Sequence, residues 1–362
     1  MAVDEEDRSG LTTVGECIHC AWALEVTGIV VSIGEVARKA GVSVGTVSRV
    51  INRNAAVRAE YRERVERAVR ELDYRPNPFA RSLRRQESLT FGLIVPDVTY
   101  PFFAELVKHA DDLAALRGYC IVLGNSNNRG DIQQRYIDIF SERRLDGVLL
   151  VPSMDTRPRD LDGSVPVVIV DRGLKGFPLF ASDHRGGAET AVTYLIRLGH
   201  RRIACIAGPE TLTLAQERVS GFRAALAALP KRQRPTGQVR FTEFDYVGGH
   251  NAALALLQGP ARPTAIFANS DQQAIGALRA AADLGLAVPR DVSIVGFDDV
   301  PLATHLAPRL TTVRQDVRRI ADLALQHLEK ARTNGIARRS VIVPTVLQVR
   351  ESSGPPPPEN KQ

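Results

Sequence analysis

Cysteine is scarce in this 362-residue sequence, with four residues at 17, 20, 120 and 205. So few make no disulfide framework in a chain of this size, and a reducing cytoplasm fits. Cys120 and Cys205 lie in the apolar runs "YCIVLG" and "IACIAG" and read as buried thiols. "CIHC" at 17–20 has the spacing of a metal or redox pair, but no second pair follows at zinc-finger distance, so no metal is expected. Long apolar runs are missing too: none reaches the roughly 18 residues of a membrane span. "MAVDEEDRSG" lacks the positive charge of a secretory signal. No phosphate loop or metal-ligand cluster is present, and no cofactor is expected. His109, His184, His200, His250, His305 and His327 are scattered and read as surface or structural residues. These absences argue against an enzyme.

Net charge is absent from most of the chain. Residues 32–86 hold 13 Arg and Lys against 6 Asp and Glu, whereas the remainder holds 34 against 35. The whole surplus sits in one small module, the footprint of a polyanion partner or a solvated basic surface. The length itself calls for two or three domains.

Within that module "SIGEVARKAG" opens with the capping-box pair Ser32 and Glu35 and closes on Gly41. Ile33, Val36, Ala37 and Ala40 form its apolar stripe. Ser43 then starts a second helix, "VSVGTVSRVIN", burying Val47, Val50 and Ile51. A third, about Arg58–Leu72, turns Tyr61, Val65, Val69 and Leu72 toward the other two, with its arginines mostly on a solvated face. The first two helices make a helix–turn–helix, whose second helix can enter the DNA major groove by its N-terminal end. Its outer face suits that role. Ser43, Thr46 and Ser48 can donate to phosphates, and Gly45 admits a close approach. Arg49 can fork onto a guanine edge, and Val44 can touch a thymine methyl. A protein-binding helical bundle is the alternative, disfavoured by the charge.

"IGEVARKAGVSVGTVSRVIN" followed by "YRPNPFARSLR" resembles the headpiece of the LacI/GalR family of bacterial transcription regulators, and the resemblance runs from Ile33 to Arg350. It implies that residues 44, 45 and 49 read bases, while Thr46 and Asn52 hold the backbone. Pro76–Arg85, with Asn77, would be a hinge that folds when two subunits meet on DNA. Ala80 and Leu83 would enter the minor groove, Leu83 as an apolar wedge. Arg84 departs from the lac-type hinge and looks more like the purine-type one. Pro76 and Pro78 by themselves also discourage a stable lone helix, although an ordinary linker reads the same way.

From residue 88 onward, β-branched runs alternate with amphipathic segments, and the rhythm restarts near 180. Parallel sheets covered on both faces, in two similar lobes with a cleft between them, are expected. The fold class is thus α/β: a helix–turn–helix headpiece plus a two-lobed, periplasmic-binding-protein-like effector domain of Rossmann-like βαβ units. The boundaries are 1–31 (an extension read as disordered or ahead of the natural start), 32–75, 76–87 (hinge), 88–350, and a disordered tail 351–362. "VIVPTVLQVR" reads as a last strand pair.

Ligands of open α/β sheets sit beyond the carboxyl ends of strands. Phe102 and Phe103 follow the first strand, and Asn125 and Ser153 also close strands. The resemblance implies that Arg218 grips the effector, Phe244 walls it and Asp298 accepts from it, with Gln315 at a crossover. Plainer readings exist: core for the aromatics, an N-cap for Asp298 and an ion pair for Arg218. "NSDQQAIG" puts Ser270 and Asp271 where many relatives have Asn-Asp, and Leu212 and Leu214 replace residues of the purine-responsive branch. A sugar or sugar derivative is therefore expected over a purine. The expected partners are double-stranded palindromic operator DNA, that effector and a second copy of the chain, with no membrane. No leucine heptad favours a tetramer. A solute-binding protein of a transport system is the alternative function, which the basic headpiece disfavours.

Overall fold

The computed structural model describes residues 31–51, 57–74, 88–161, 165–335 and 337–358. The "CIHC" stretch, Asn52, Asn77, Ala80, Leu83 and Arg84 lie outside them. The chain divides after Arg85 into two compact units.

The first unit holds α1 (Ile33–Ala40), α2 (Val44–Ile51) and α3 (Ala59–Glu71). Both halves of the capping box form: the Ser32 hydroxyl accepts from Glu35 N and the Glu35 carboxylate accepts from Ser32 N. Gly41 ends α1 at φ 62°, a left-handed conformation in which a Cβ would also strike the Arg64 guanidinium. Arg64 donates to Gly41 O at 3.2 Å, and Lys39 pairs with Glu71 at 2.8 Å, so α3 is tied to the end of α1. Ser43 Oγ accepts from Thr46 N at 3.1 Å and starts α2. Val36, Val47 and Val65 are fully buried and centre the core, with Ala68 beside them. Tyr61 is half-buried and stands outside that cluster, where the helical period alone had put it inside.

The second unit contains two lobes, each a six-stranded sheet between helices. The first lobe runs through β1 (Thr90–Val95), α4 (Pro101–Leu116), β2 (Cys120–Asn125), α5 (Gly130–Glu142), β3 (Gly147–Leu150), β4 (Val167–Val170) and β5 (Leu179–Ser182). The second runs through α6 (His184–Arg197), β6 (Arg202–Ala207), α7 (Thr213–Ala227), β7 (Thr236–Phe241), α8 (Tyr246–Leu257), β8 (Ala265–Ala268), α9 (Asp271–Asp283), β9 (Ser293–Asp298) and β10 (Thr311–Arg314). The chain then returns to the first lobe as α10 (Val317–Asn334) and β11 (Val341–Val343), and crosses back as β12 (Val346–Gln348).

The strand orders are β11-β5-β4-β3-β1-β2 and β12-β10-β9-β8-β6-β7. Every pairing is parallel except β10 with β12. In each lobe the order reverses beside the first strand, which opens a crevice at the strands' carboxyl ends. The central strands are uninterrupted apolar runs because helices cover both faces. Phe91, Leu149 and Val168 meet α4 and α10 on one face of the first sheet, and Phe140 of α5 packs on the other.

Three expectations need correction. The last two strands form but do not pair with each other: β11 joins β5 in the first lobe and β12 joins β10 in the second, so the segment between them is an interlobe crossover. The tail expected to be disordered is tied down through Ser352 and Gly354. Ser352 Oγ accepts from Thr311 N at 2.8 Å and donates to Ile294 O at 2.6 Å, while Gly354 N donates to Ser293 Oγ at 3.0 Å. Small polar residues at a strand edge can zip onto backbone, a gain that composition does not register. Buried His200 completes this clamp, contacting Thr264 Oγ1 and Gly354 O, both at 2.9 Å. Burial holds its pKa below the ordinary value, so the neutral ring donates from Nε2 and accepts at Nδ1. Finally, Cys120 is exposed, because β2 is an edge strand, whereas Cys205 is buried as expected.

Candidate functional site

The outward face of α2 carries Val44, Gly45, Ser48 and Arg49. Val44 is 37% exposed, unusual for a valine on a short amphipathic helix. Arg49 is exposed and makes no hydrogen bond or ion pair among the described residues. The Ser43 and Thr46 hydroxyls bond each other at 2.9 Å, so between them one proton remains for an outside acceptor.

Gly45 has ordinary helical backbone, and a Cβ there would meet only Ser43 and Arg49 side-chain atoms beyond 3.6 Å. Nothing among the described residues requires glycine there. Gly45→Ala is therefore expected to stabilise α2 by roughly 0.5–1 kcal/mol while weakening DNA binding through the added methyl. Thermal unfolding and fluorescence anisotropy on DNA measure the two effects. Undiminished DNA binding would remove the close-approach role.

In the second unit a cavity of about 410 Å³ opens between the lobes at the carboxyl ends of both sheets. Asp97 follows β1, Asp171 and Arg172 follow β4, Phe244 follows β7, Asp298 ends β9 and Gln315 follows β10. Arg218, only 3% exposed, stands at its centre. Its guanidinium lies 3.8 Å over the Phe297 ring and 5.9 Å from that of Phe244. It donates to Asn269 O and to His184 Nδ1, and sits 3.7 Å from Asp298 Oδ1. Gln315 donates to the same Asp298 oxygen at 2.8 Å.

Burial raises the Asp298 carboxyl to about 7 against the pull of Arg218 and Gln315, and it raises Asp171 as well. Burial, helped by the Arg218 charge, pushes His184 well below its ordinary value. The ring is therefore neutral, accepts from Arg218 at Nδ1 and carries its proton on Nε2, which lies 3.6 Å from Asp171. Burial and nearby Asp298 keep the Tyr100 phenol well above its usual range, protonated beside Ser270.

Asp171 (φ 66°) and Asp298 (φ 123°) both sit at positive φ, as does Asp299 at 60°. Strained backbone concentrated at strand ends marks a site that geometry, not local stability, has shaped. Arg172 Nε and Gln272 Oε1 are buried lining atoms with no partner among the described residues. They are hydrogen-bonding groups held for something else.

Of the residues expected here, Phe102, Phe103, Arg218, Phe244, Asp298 and Gln315 come together around the cavity. Phe102 and Phe103 are also first-lobe core, 4% and 5% exposed, so both readings of them hold. Arg218 likewise forms an ion pair and lines the cavity. Three others do not line it. Asn125 accepts from Val98 N at 2.9 Å and holds the loop after β1. Ser153 is buried against Ser126 and Gln133. Ser270 is the N-cap of α9. In each case the strand-end position is right, but the side chain is engaged by a neighbouring loop or by its own helix start.

Sequence reasoning missed Tyr100, Asn128, Asp171, Arg172, Glu243, Asp245 and Gln272. It treated His184 as surface or structural, and the ring is buried beneath Arg218. The strand-end rule used for Asp298 would have found Asp171, which follows β4 in the same way.

A helix–turn–helix module followed by a two-lobed clamp around a strained polar cavity defines a DNA-binding regulator with a small-molecule site. Residues 32–77 match "Bacterial regulatory proteins, lacI family" and residues 192–353 match "Periplasmic binding protein-like domain". The chain belongs to the lacI family and is a DNA-binding transcriptional regulator. It is 35% identical over 324 residues to the ribose operon repressor of Halalkalibacterium halodurans, covering 89% of this chain and 97% of that protein. The lac repressor dimer bound to operator and the anti-inducer ONPF superposes with a TM-score of 0.79 at 27% identity, covering 90% of this chain and 99% of that one. The complex of the transcriptional regulator CelR with cellobiose gives 0.65 at 33% identity, covering 89% and 99%. The transport-protein alternative is set aside by the headpiece match. Among the described residues, no helix is long and apolar enough to cross a membrane.

Proposed function

We propose that the chain is a cytoplasmic, non-enzymatic repressor that acts as a homodimer on a palindromic operator, its DNA affinity set by a neutral sugar in the interlobe cavity. The carrying observation is the cavity's charge. Five carboxylates (Asp97, Asp171, Glu243, Asp245, Asp298) face two arginines whose donors are already partly engaged. Such a lining accepts from hydroxyls and repels phosphate, which argues for a free sugar over a sugar phosphate. Phe103 and Phe244 supply aromatic faces, and Leu214 lines the cavity where a purine-responsive site would need polar contact. Ribose is the first ligand to test, given the ribose operon repressor relative. The base-reading set is Val44, Gly45 and Arg49, with Ser43, Thr46 and Ser48 on phosphates. Asn52, Asn77, Ala80, Leu83 and Arg84 complete the DNA-binding set on the headpiece resemblance. Closure of the lobes on sugar shifts the population between DNA-binding and released forms.

A carboxylate pushed up to about 7 makes sugar binding pH-dependent. A hydroxyl donor selects the ionised Asp298, whose population at pH 6 is roughly a tenth of that at pH 8. Titration calorimetry is expected to show about tenfold tighter ribose binding at pH 8 than at pH 6, and a flat profile in Asp298→Asn. A flat wild-type profile would contradict acceptance by Asp298. In the empty protein the stability sign is opposite: a carboxyl raised from 3.8 favours folding below that pH, and the contribution is lost as pH rises through about 7.

A further inference from the structure

A second cavity of about 470 Å³ lies where the lobes are joined, lined by Glu105 and His109 of α4, by Asp299 and Arg314, and by the β10–α10 crossover from Gln315 to Arg318. Some of its charges are already committed. The Asp299 oxygens accept from Arg314 at 2.7 Å and Arg350 at 2.6 Å, and Asp316 caps α10 by accepting from Arg319 N at 2.9 Å. Others are not. Glu105 is half-buried, and neither it nor the exposed Arg318 makes a hydrogen bond or ion pair among the described residues. His109 Nδ1 is buried without a partner among the described residues. Gln315, 4% exposed, lines both cavities: its Nε2 goes to Asp298 and its Oε1 has no partner among the described residues.

The uncommitted groups are thus one carboxylate, one amide oxygen, one imidazole nitrogen and one guanidinium. Burial and the nearby Asp299 charge raise the Glu105 carboxyl, as expected where a carboxylate lacks a cation. A simple anion would face Glu105 and Asp299, and a simple cation would leave Arg318 unanswered. A molecule carrying both charges answers each.

We propose that this second cavity binds a small zwitterion of the amino-acid class, its ammonium held by Glu105 and Gln315 Oε1 and its carboxylate by Arg318. The common L-amino acids, titrated singly into the full chain at millimolar concentrations, supply the probes. At least one is expected to bind, and its carboxamide and its des-amino analogue are expected not to. Glu105→Gln and Arg318→Ala should each weaken it by roughly tenfold or more with the unfolding midpoint unchanged. Leu214→Trp, which fills the interlobe cavity and leaves this one alone, should not affect it. That variant separates the proposal from the sugar reading, since failure of either leaves the other standing. The proposal is overturned if no amino acid binds, if the binder ignores both charge substitutions, or if Leu214→Trp abolishes its binding.

Discussion

Arg218→Leu is expected to abolish sugar binding and to lower stability by about 3 kcal/mol, while the headpiece remains able to bind DNA. Arg218 is buried between Asn269 O, His184, Asp298 and the Phe297 ring. Removing one member of a buried ion pair costs roughly 3–5 kcal/mol, because the other charge is left without compensation. Here the cost falls at the low end of that range. Asp298, pushed up to about 7, can take a proton and avoid standing as a bare carboxylate. Calorimetric titration and thermal unfolding separate the two effects, with a midpoint shift of several degrees expected for a unit of this size. Arg218→Lys keeps the charge but loses the fork, and should restore stability more than binding. Undiminished sugar binding in Arg218→Leu would place the ligand elsewhere.

Arg49→Ala is expected to cost roughly 1–3 kcal/mol in affinity for the selected operator and little in affinity for unrelated DNA. The side chain is exposed and engages no described residue, so its removal should shift stability by less than about 0.5 kcal/mol. A bidentate base contact predicts loss at one base pair of the site, whereas a phosphate contact predicts a uniform loss and a shallower salt dependence. Anisotropy titrations on matched, singly substituted and unrelated duplexes distinguish them. Equal losses on all three would remove Arg49 from the base-reading set.

Much of the fold was legible because its signals are local. Ser32 with Glu35, Gly41 and Ser43 set the headpiece boundaries, and β-branched runs such as "GVLLV" and "VVIV" can only be buried parallel strands in this context. The missed elements lack such signals. β7, "TGQVRF", is a partly exposed edge strand, and β10 is four residues with three hydroxyl or charged side chains. α10 is amphipathic, but its apolar face, including Ile320 and Leu325, packs on the first lobe after a crossover. No linear pattern reveals a return to an earlier lobe.

The site divides in the same way. Arg218, Phe244 and Asp298 were reached through resemblance and strand ends. Asn125 and Ser153 satisfied the strand-end rule yet turn onto neighbouring loops, where Asn125 meets the Val98 N–H and Ser153 the Ser126 hydroxyl. Asp171 reaches the cavity through a positive φ that its sequence does not announce. Which strand-end residue faces a ligand depends on loop backbone, a property of the assembled lobes.

The most direct test of a sugar-controlled DNA regulator is a linkage measurement on the full chain. The affinity for a DNA site selected from random duplexes would be measured with and without saturating ribose, or whichever neutral sugar fills the interlobe cavity. The affinity for that sugar would be measured with and without the DNA. Effector and operator must change each other's affinity by one factor, expected at roughly fivefold or more. Two matching ratios of that size are the predicted result. Identical DNA affinity with the cavity empty and filled would contradict the account.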